Sequence, residues 1–97
     1  MATYVNLYKF TEQGLQTVKE TTKRYEAAKK AAAQAGVTLK DAYWLLGKYD
    51  LVVISEAPDE IAATAFQLSI AKLGNIRGET LRAFPPAEMD KVLAKVS

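Results

Sequence analysis

Leu51-Val52-Val53-Ile54 sets four bulky aliphatic side chains, three of them β-branched, in consecutive positions. In an extended chain, neighbouring side chains point to opposite faces, so a strand through this run is apolar on both sides. Strands read this way when both of their faces are buried. Whatever fold this chain adopts must therefore cover Leu51–Ile54 twice.

The remaining elements set how that cover is supplied. Thr3 to Phe10 alternates with the period of a strand, Val5 and Leu7 on one face and Tyr4, Asn6, Tyr8 and Phe10 on the other. Thr11 is placed to cap a following helix, with Glu12 near its N-terminal dipole. Leu15, Val18, Tyr25, Ala28, Ala32 and Ala35 recur at helical spacing in that segment. Thr21-Thr22 mark a kink or a second start within it, and Gly36 ends it. Thr38 to Leu46 and Lys48 to Glu56 read as two strands joined tightly around Gly47-Lys48, where glycine permits a positive φ. Pro58-Asp59-Glu60 opens a helix to Leu73, striped by Ala62, Phe66, Ser69 and Leu73 and closed by Gly74. Asn75 to Phe84 is a fourth strand. Pro85-Pro86 breaks it and starts a short C-terminal helix carrying Met89, Val92, Leu93 and Val96.

The order is β-α-β-β-α-β plus a C-terminal helix, the ferredoxin-like α+β pattern with an antiparallel four-stranded sheet. Two helices cover only one face of such a sheet. The other face should be polar in a monomer, yet Leu51–Ile54 is apolar on both sides, and Tyr4, Tyr8 and Phe10 give the first strand an aromatic face. An uncovered surface of that kind marks an interface. A homodimer or higher homo-oligomer is expected, with a second sheet as the cover.

Ninety-seven residues predict one domain, spanning 1–97, with modest stability as a monomer. The net charge of +2, from 13 basic and 11 acidic side chains, is too even to argue for a nucleic acid or a membrane surface. The basic residues Lys19, Lys23, Arg24, Lys29 and Lys30 are interleaved with Glu20 and Glu26 at helical spacing and read as a solvated face. The chain has no cysteine and no histidine. Zinc, haem and nucleophile–His–acid catalysis are thereby disfavoured, and no cofactor is expected. Met-Ala-Thr-Tyr-Val runs straight into a strand without a basic or apolar leader, and no apolar run approaches 18 residues. A cytoplasmic protein is the resulting expectation.

Two groups of residues are candidate sites. Gly47, Tyr49 and Asp50 sit at the predicted hairpin. They read either as a ligand or subunit contact or, by the habit of turn residues, as the groups that make and tie down the turn. Asn6, Tyr8, Tyr43, Thr80 and Arg82 form the second group. Asn6 shares a face with Tyr8, and Thr80 with Arg82. Facing a shared interior, they would surround a small polar or anionic metabolite with Arg82 as anchor. Otherwise they form a packing network in which Arg82 pairs with Glu79 or with a partner's acid. Trp44, the only tryptophan, is expected to pack on a helix or a partner.

Gly47-Lys48-Tyr49-Asp50, followed by Leu51-Val52-Val53, resembles the Gly-x-Tyr-Asp signature of the GYD domain family. Thr3-Tyr4-Val5, Thr11-Glu12-Gln13-Gly14, Glu56-Ala57-Pro58-Asp59 and the segment from Leu73 to Phe84 fit the same pattern. The resemblance implies a dimeric α+β barrel, in which two sheets pack face to face. The hairpin and the downstream Arg77-Gly78-Glu79-Thr80 strand also resemble the effector-binding domain of leucine-responsive (feast/famine) regulators. Those modules assemble as dimers and higher oligomers and bind amino acids between subunits. With no helix-turn-helix ahead of it here, direct DNA regulation does not carry over. The leading expectation is an oligomeric small-ligand-binding or sensing module with its pocket between subunits. The alternatives are a cofactor-independent monooxygenase or isomerase relying on Tyr8, Tyr43, Asp50 or Arg82, and a purely structural oligomerisation protein.

Overall fold

The computed structural model describes residues 1–97. Its elements are β1 (Ala2–Phe10), α1 (Glu12–Gln16), one 3-10 turn (Val18–Glu20), α2 (Thr21–Gln34), β2 (Thr38–Trp44), β3 (Leu51–Ala57), α3 (Glu60–Ala71), β4 (Ile76–Ala83) and α4 (Pro86–Leu93). The strands form one antiparallel sheet in the order β2-β3-β1-β4, the ferredoxin-like arrangement.

Local chemistry explains most of the boundaries. Thr11 accepts a hydrogen bond at its Oγ1 from the Gly14 N–H at 3.0 Å, and Asp59 accepts one at its carboxylate from the Ala62 N–H at 2.9 Å. These caps start α1 and α3. The second start at Thr21 is real, with the 3-10 turn between the two helical pieces. Gly36, at φ 82°, stops α2 in the left-handed region.

The two faces of the sheet differ sharply. Tyr4, Tyr8, Leu51, Val53 and Ala57 turn toward the helices and bury against Ala32 and Phe66. Alanines on the inner side of α2 let it sit close. The opposite face carries Val5, Leu7, Val52, Ile54 and Leu81 and has no helix over it. The aromatic side of β1, expected to add to the uncovered surface, is therefore the helix-covered side, and Val5 and Leu7 mark the open one.

The β2–β3 connection is also longer than expected. β2 stops at Trp44 and β3 begins at Leu51, leaving a six-residue loop from Leu45 to Asp50 in place of a tight turn. The ladder shifts by one residue at Lys40, where Leu39 lies opposite Ser55 and Asp41 opposite Ile54. This bulge turns Asp41 and Tyr43 to the open face while Leu39 and Ala42 face the core.

Only 12 of 97 residues are buried, a thin core for a chain in which 49% of the residues are hydrophobic. Leu46 is fully exposed, and Leu15, Leu73, Met89 and Leu93 are more than 40% exposed, several of them positions that the helical stripes had marked for burial.

Candidate functional site

Beneath the helices, three polar side chains satisfy one another. The Asn6 amide donates from Nδ2 to the Val53 carbonyl at 3.1 Å and to Ser55 Oγ at 3.0 Å. The Thr80 hydroxyl donates to Asn6 Oδ1 at 2.9 Å. Asn6 and Ser55 are both almost fully buried. The Tyr8 hydroxyl donates to Gln67 Oε1 of α3 at 2.7 Å, pinning that helix to the sheet. Tyr4, also buried, has a hydroxyl with no protein partner. Asn6, Tyr8 and Thr80 thus lie together within one protomer. Tyr43 does not join them. The bulge sends it to the open face, 61% exposed, beside Val52.

Burial pushes the Tyr8 phenol up from 10.0 to about 12. The neutral form is favoured in the fold and the unfolded chain ionises first, so this contribution is complete below pH 10 and drains away as the pH rises through 12. In that window the wild-type protein is expected to lose roughly 2–3 kcal/mol more than Tyr8→Phe. Denaturant unfolding of both proteins between about pH 9 and 12, with tyrosinate absorbance alongside, measures the difference; parallel curves would sink the assignment.

Arg82 occupies the edge of the same face. Its guanidinium donates to Glu88 of α4 at 2.8 Å and lies 4.6 Å from the centre of the Phe84 ring. The expected pairing with Glu79 is not formed, because Glu79 points to the other side of β4, opposite Leu7. Glu79 accepts instead from the Tyr49 hydroxyl at 2.7 Å. That hydrogen bond, ahead of desolvation, raises the Tyr49 pKa above its ordinary 10.0.

The Gly47–Asp50 corner is a backbone device. Gly47 sits at φ 143°, a conformation that L side chains avoid. The Asp50 N–H donates to the Tyr8 carbonyl at 2.8 Å, and the Asp50 carboxylate accepts from the Phe10 N–H at 2.9 Å. The β1–β3 ladder ends at Tyr8 opposite Leu51. Asp50 extends it by one step, its side chain standing where a further strand carbonyl would have been. Tyr49 folds back across the corner with the ammonium groups of Lys9 and Lys48 at 5.8 and 5.7 Å from its ring centre. Asp50→Ala, which strands the Phe10 N–H, is expected to cost about 1–2 kcal/mol. Asp50→Asn keeps an oxygen in place and should cost less than half of that. Calorimetric melting orders the two; equal losses would count against the ladder role.

Ser55, Gln67 and Glu88 escape a reading of the sequence, although each completes a hydrogen bond of a candidate residue. Only Ser55 leaves a signal: it is a polar residue at the inward period of an otherwise aliphatic strand. Trp44 packs as anticipated, its ring edge-on to Tyr25 at 5.9 Å and its Nε1–H donating to Thr21 Oγ1 at 3.0 Å. No group of three or more carboxylates is arranged to hold a metal ion, and no helix is long and apolar enough to cross a membrane.

The Gly47–Asp50 corner, set in this element order, fits one family across nearly the whole chain: the model of the GYD domain matches residues 4–93. The chain belongs to the GYD domain family. A curated relative from Thermus thermophilus, named glutamine synthetase and cystathionine beta-lyase binding protein, is 30% identical over 90 residues, covering 92% of this chain and 95% of that protein. Among solved structures, TTHA0845 from the same organism aligns with a TM-score of 0.57 and 25% identity, over 88% of this chain and 95% of that one. FFRP-DM1 aligns with a TM-score of 0.61 and 24% identity, over 87% of this chain and all of that one, a likeness of fold alone. The GYD signature is thus met here by a glycine in the left-handed region, a tyrosine bonded to Glu79 and an aspartate that extends the sheet.

Proposed function

We propose that this GYD-domain protein is a self-assembling binding module, a homo-oligomer closed on its helix-free sheet face, whose partners are other proteins. The observation that carries the reading is the apolar centre of that face, where Val5, Leu7, Val52, Ile54, Leu81 and Tyr43 lie between Asp41 and Glu79 of the edge strands, opposite the face packed by the helices. Apolar surface of this extent is removed from water by association at about 25 cal/mol per Å². The polar groups suited to chemistry, Asn6, Ser55 and Thr80, are already spent on one another beneath the helices. The relative that binds glutamine synthetase and cystathionine beta-lyase supports folded enzymes as the partner class. Light scattering is expected to give at least twice the chain mass at micromolar concentration, and immobilised protein is expected to retain glutamine synthetase of its own organism. A monodisperse single chain would overturn the assembly, and no retention would overturn the partner class.

A second reading, a small anionic metabolite held between subunits, draws on the Tyr49 corner. There Lys9 and Lys48 converge on one ring near the rim of the open face. A thermal-shift series with amino acids and small carboxylates tests it. A ligand at about one hundred times its dissociation constant adds about 2.7 kcal/mol, and no shift across the series would retire this reading.

A further inference from the structure

Helix α3 carries no charged side chain from Ile61 to Ala71. Its inner side is accounted for, since Phe66 is buried in the core with Ala62, Ala63 and Ile70 packed around it. Its outer side presents aliphatic side chains to water. Ile61 is 80% and Leu68 64% exposed, with the exposed Thr64 and Ala65 between them. α2, on the same side of the sheet, is different: its outer positions include Lys23, Glu26, Lys29 and Lys30 and suit water. A helix with bulky aliphatics on both sides and no charge between its ends has the composition of a buried helix. The open sheet face cannot bury this one, because it lies on the far side of the sheet.

The outer stripe is built to meet itself. Ile61, Ala65, Leu68 and Lys72 follow at i, i+4, i+7 and i+11, one face of the helix. An antiparallel twofold pairing centred near Ala65 sets Ile61 against Leu68 of the second copy in both directions. The small side chains of Thr64 and Ala65 at the crossing let the backbones approach. The same register brings Lys72, at the C-terminal end, near Glu60 at the N-terminal end of the second helix, so both charges meet an opposite one. An isologous contact requires this kind of self-complementarity.

We propose that a second copy of this chain covers the outer face of α3 through this antiparallel contact, joining sheet-closed dimers into a larger assembly. The proposal rests on the sheet-closed dimer for the unit that is joined and for the repetition that holds the contact. A helix face about 18 Å long is smaller than a self-sufficient interface, which buries about 1,000 Å² or more. It holds where dimers offer it more than once.

The absence of cysteine makes the test clean. Ala65→Cys, oxidised under mild conditions, is expected to give a covalent two-chain product through a single engineered position. Wild-type protein at high micromolar concentration is expected to scatter as a multiple of the dimer. Leu68→Glu should return it to the dimer with unchanged circular dichroism, since Leu68 is exposed within the protomer. Lys72→Glu should weaken the larger assembly at least tenfold, and adding Glu60→Lys should restore it. An unchanged mass for Leu68→Glu, no Ala65→Cys crosslink, or a Leu68→Cys to Val92→Cys crosslink showing that α4 covers this face would each overturn the proposal. Val5→Glu on the open face should lower the yield of the Ala65→Cys crosslink without abolishing it, since it removes only the repetition of the contact, whereas Leu68→Glu should abolish the α3 contact and leave the sheet-closed dimer standing, so the two contacts are told apart.

Discussion

Val5→Glu is expected to split the assembly at its sheet contact. Val5 lies on a central strand, flanked across the open face by Ile54 on β3 and Leu81 on β4. In the isolated protomer that face meets water, so the substitution leaves the fold standing. In the proposed sheet-closed dimer, a twofold would place two such carboxylates in an apolar layer. Several kcal/mol of desolvation per ion, counted twice, amount to at least about 5 kcal/mol, or more than three decades in the dissociation constant. Light scattering of Val5→Glu should therefore report a lower mass over a concentration range in which the wild type is fully assembled, with Val5→Thr between the two. Equal masses for wild type and Val5→Glu would show that this face is not the contact.

Asn6→Leu should be the most damaging change inside the protomer. Leucine matches asparagine in branching but removes a donor to Ser55 Oγ and Val53 O and the acceptor of the Thr80 hydroxyl. Buried polar groups left without partners cost about 1–3 kcal/mol each. A total near ~3 kcal/mol should lower the melting midpoint by roughly 10–20 °C in a domain of this size. Adding Ser55→Ala and Thr80→Val should recover much of the loss, because the stranded hydroxyls then disappear together. If Asn6→Leu melted like the wild type while abolishing binding of a metabolite, the cluster would be a ligand site and its reading as an internal fastening would fall.

The element order is legible in the sequence because two periods dominate this chain and its caps are explicit. Alternation marks β1, the four-residue aliphatic run marks β3, and Thr11, Asp59 and Gly36 punctuate the helices. The candidate site is legible only in part, for three physical reasons. Parity separates Asn6 and Tyr8 from Val5 and Leu7 but does not say which pair the helices cover. The inner face of α2 is largely alanine and offers little contrast in size to decide it. Tyr43 groups with Asn6 on paper because the extra residue at Lys40 leaves no mark in the sequence, yet one added position exchanges the faces of all that follows in the strand. Asp50 reads as a residue that ties down the β2–β3 turn or contacts a ligand, whereas its carboxylate holds the Phe10 N–H of β1, a role that depends on where β1 outruns its neighbour, a property of register.

The irregularity at Lys40 also bears on how a single chain stays out of aggregates. A straight margin of unpaired amides and carbonyls invites strands from other unfinished molecules to add on, the first step toward fibres. With its backbone spacing thrown out of step midway, β2 makes a poor template for such growth. A protomer with a greasy sheet surface still bare is thereby kept from joining insoluble stacks through its edge.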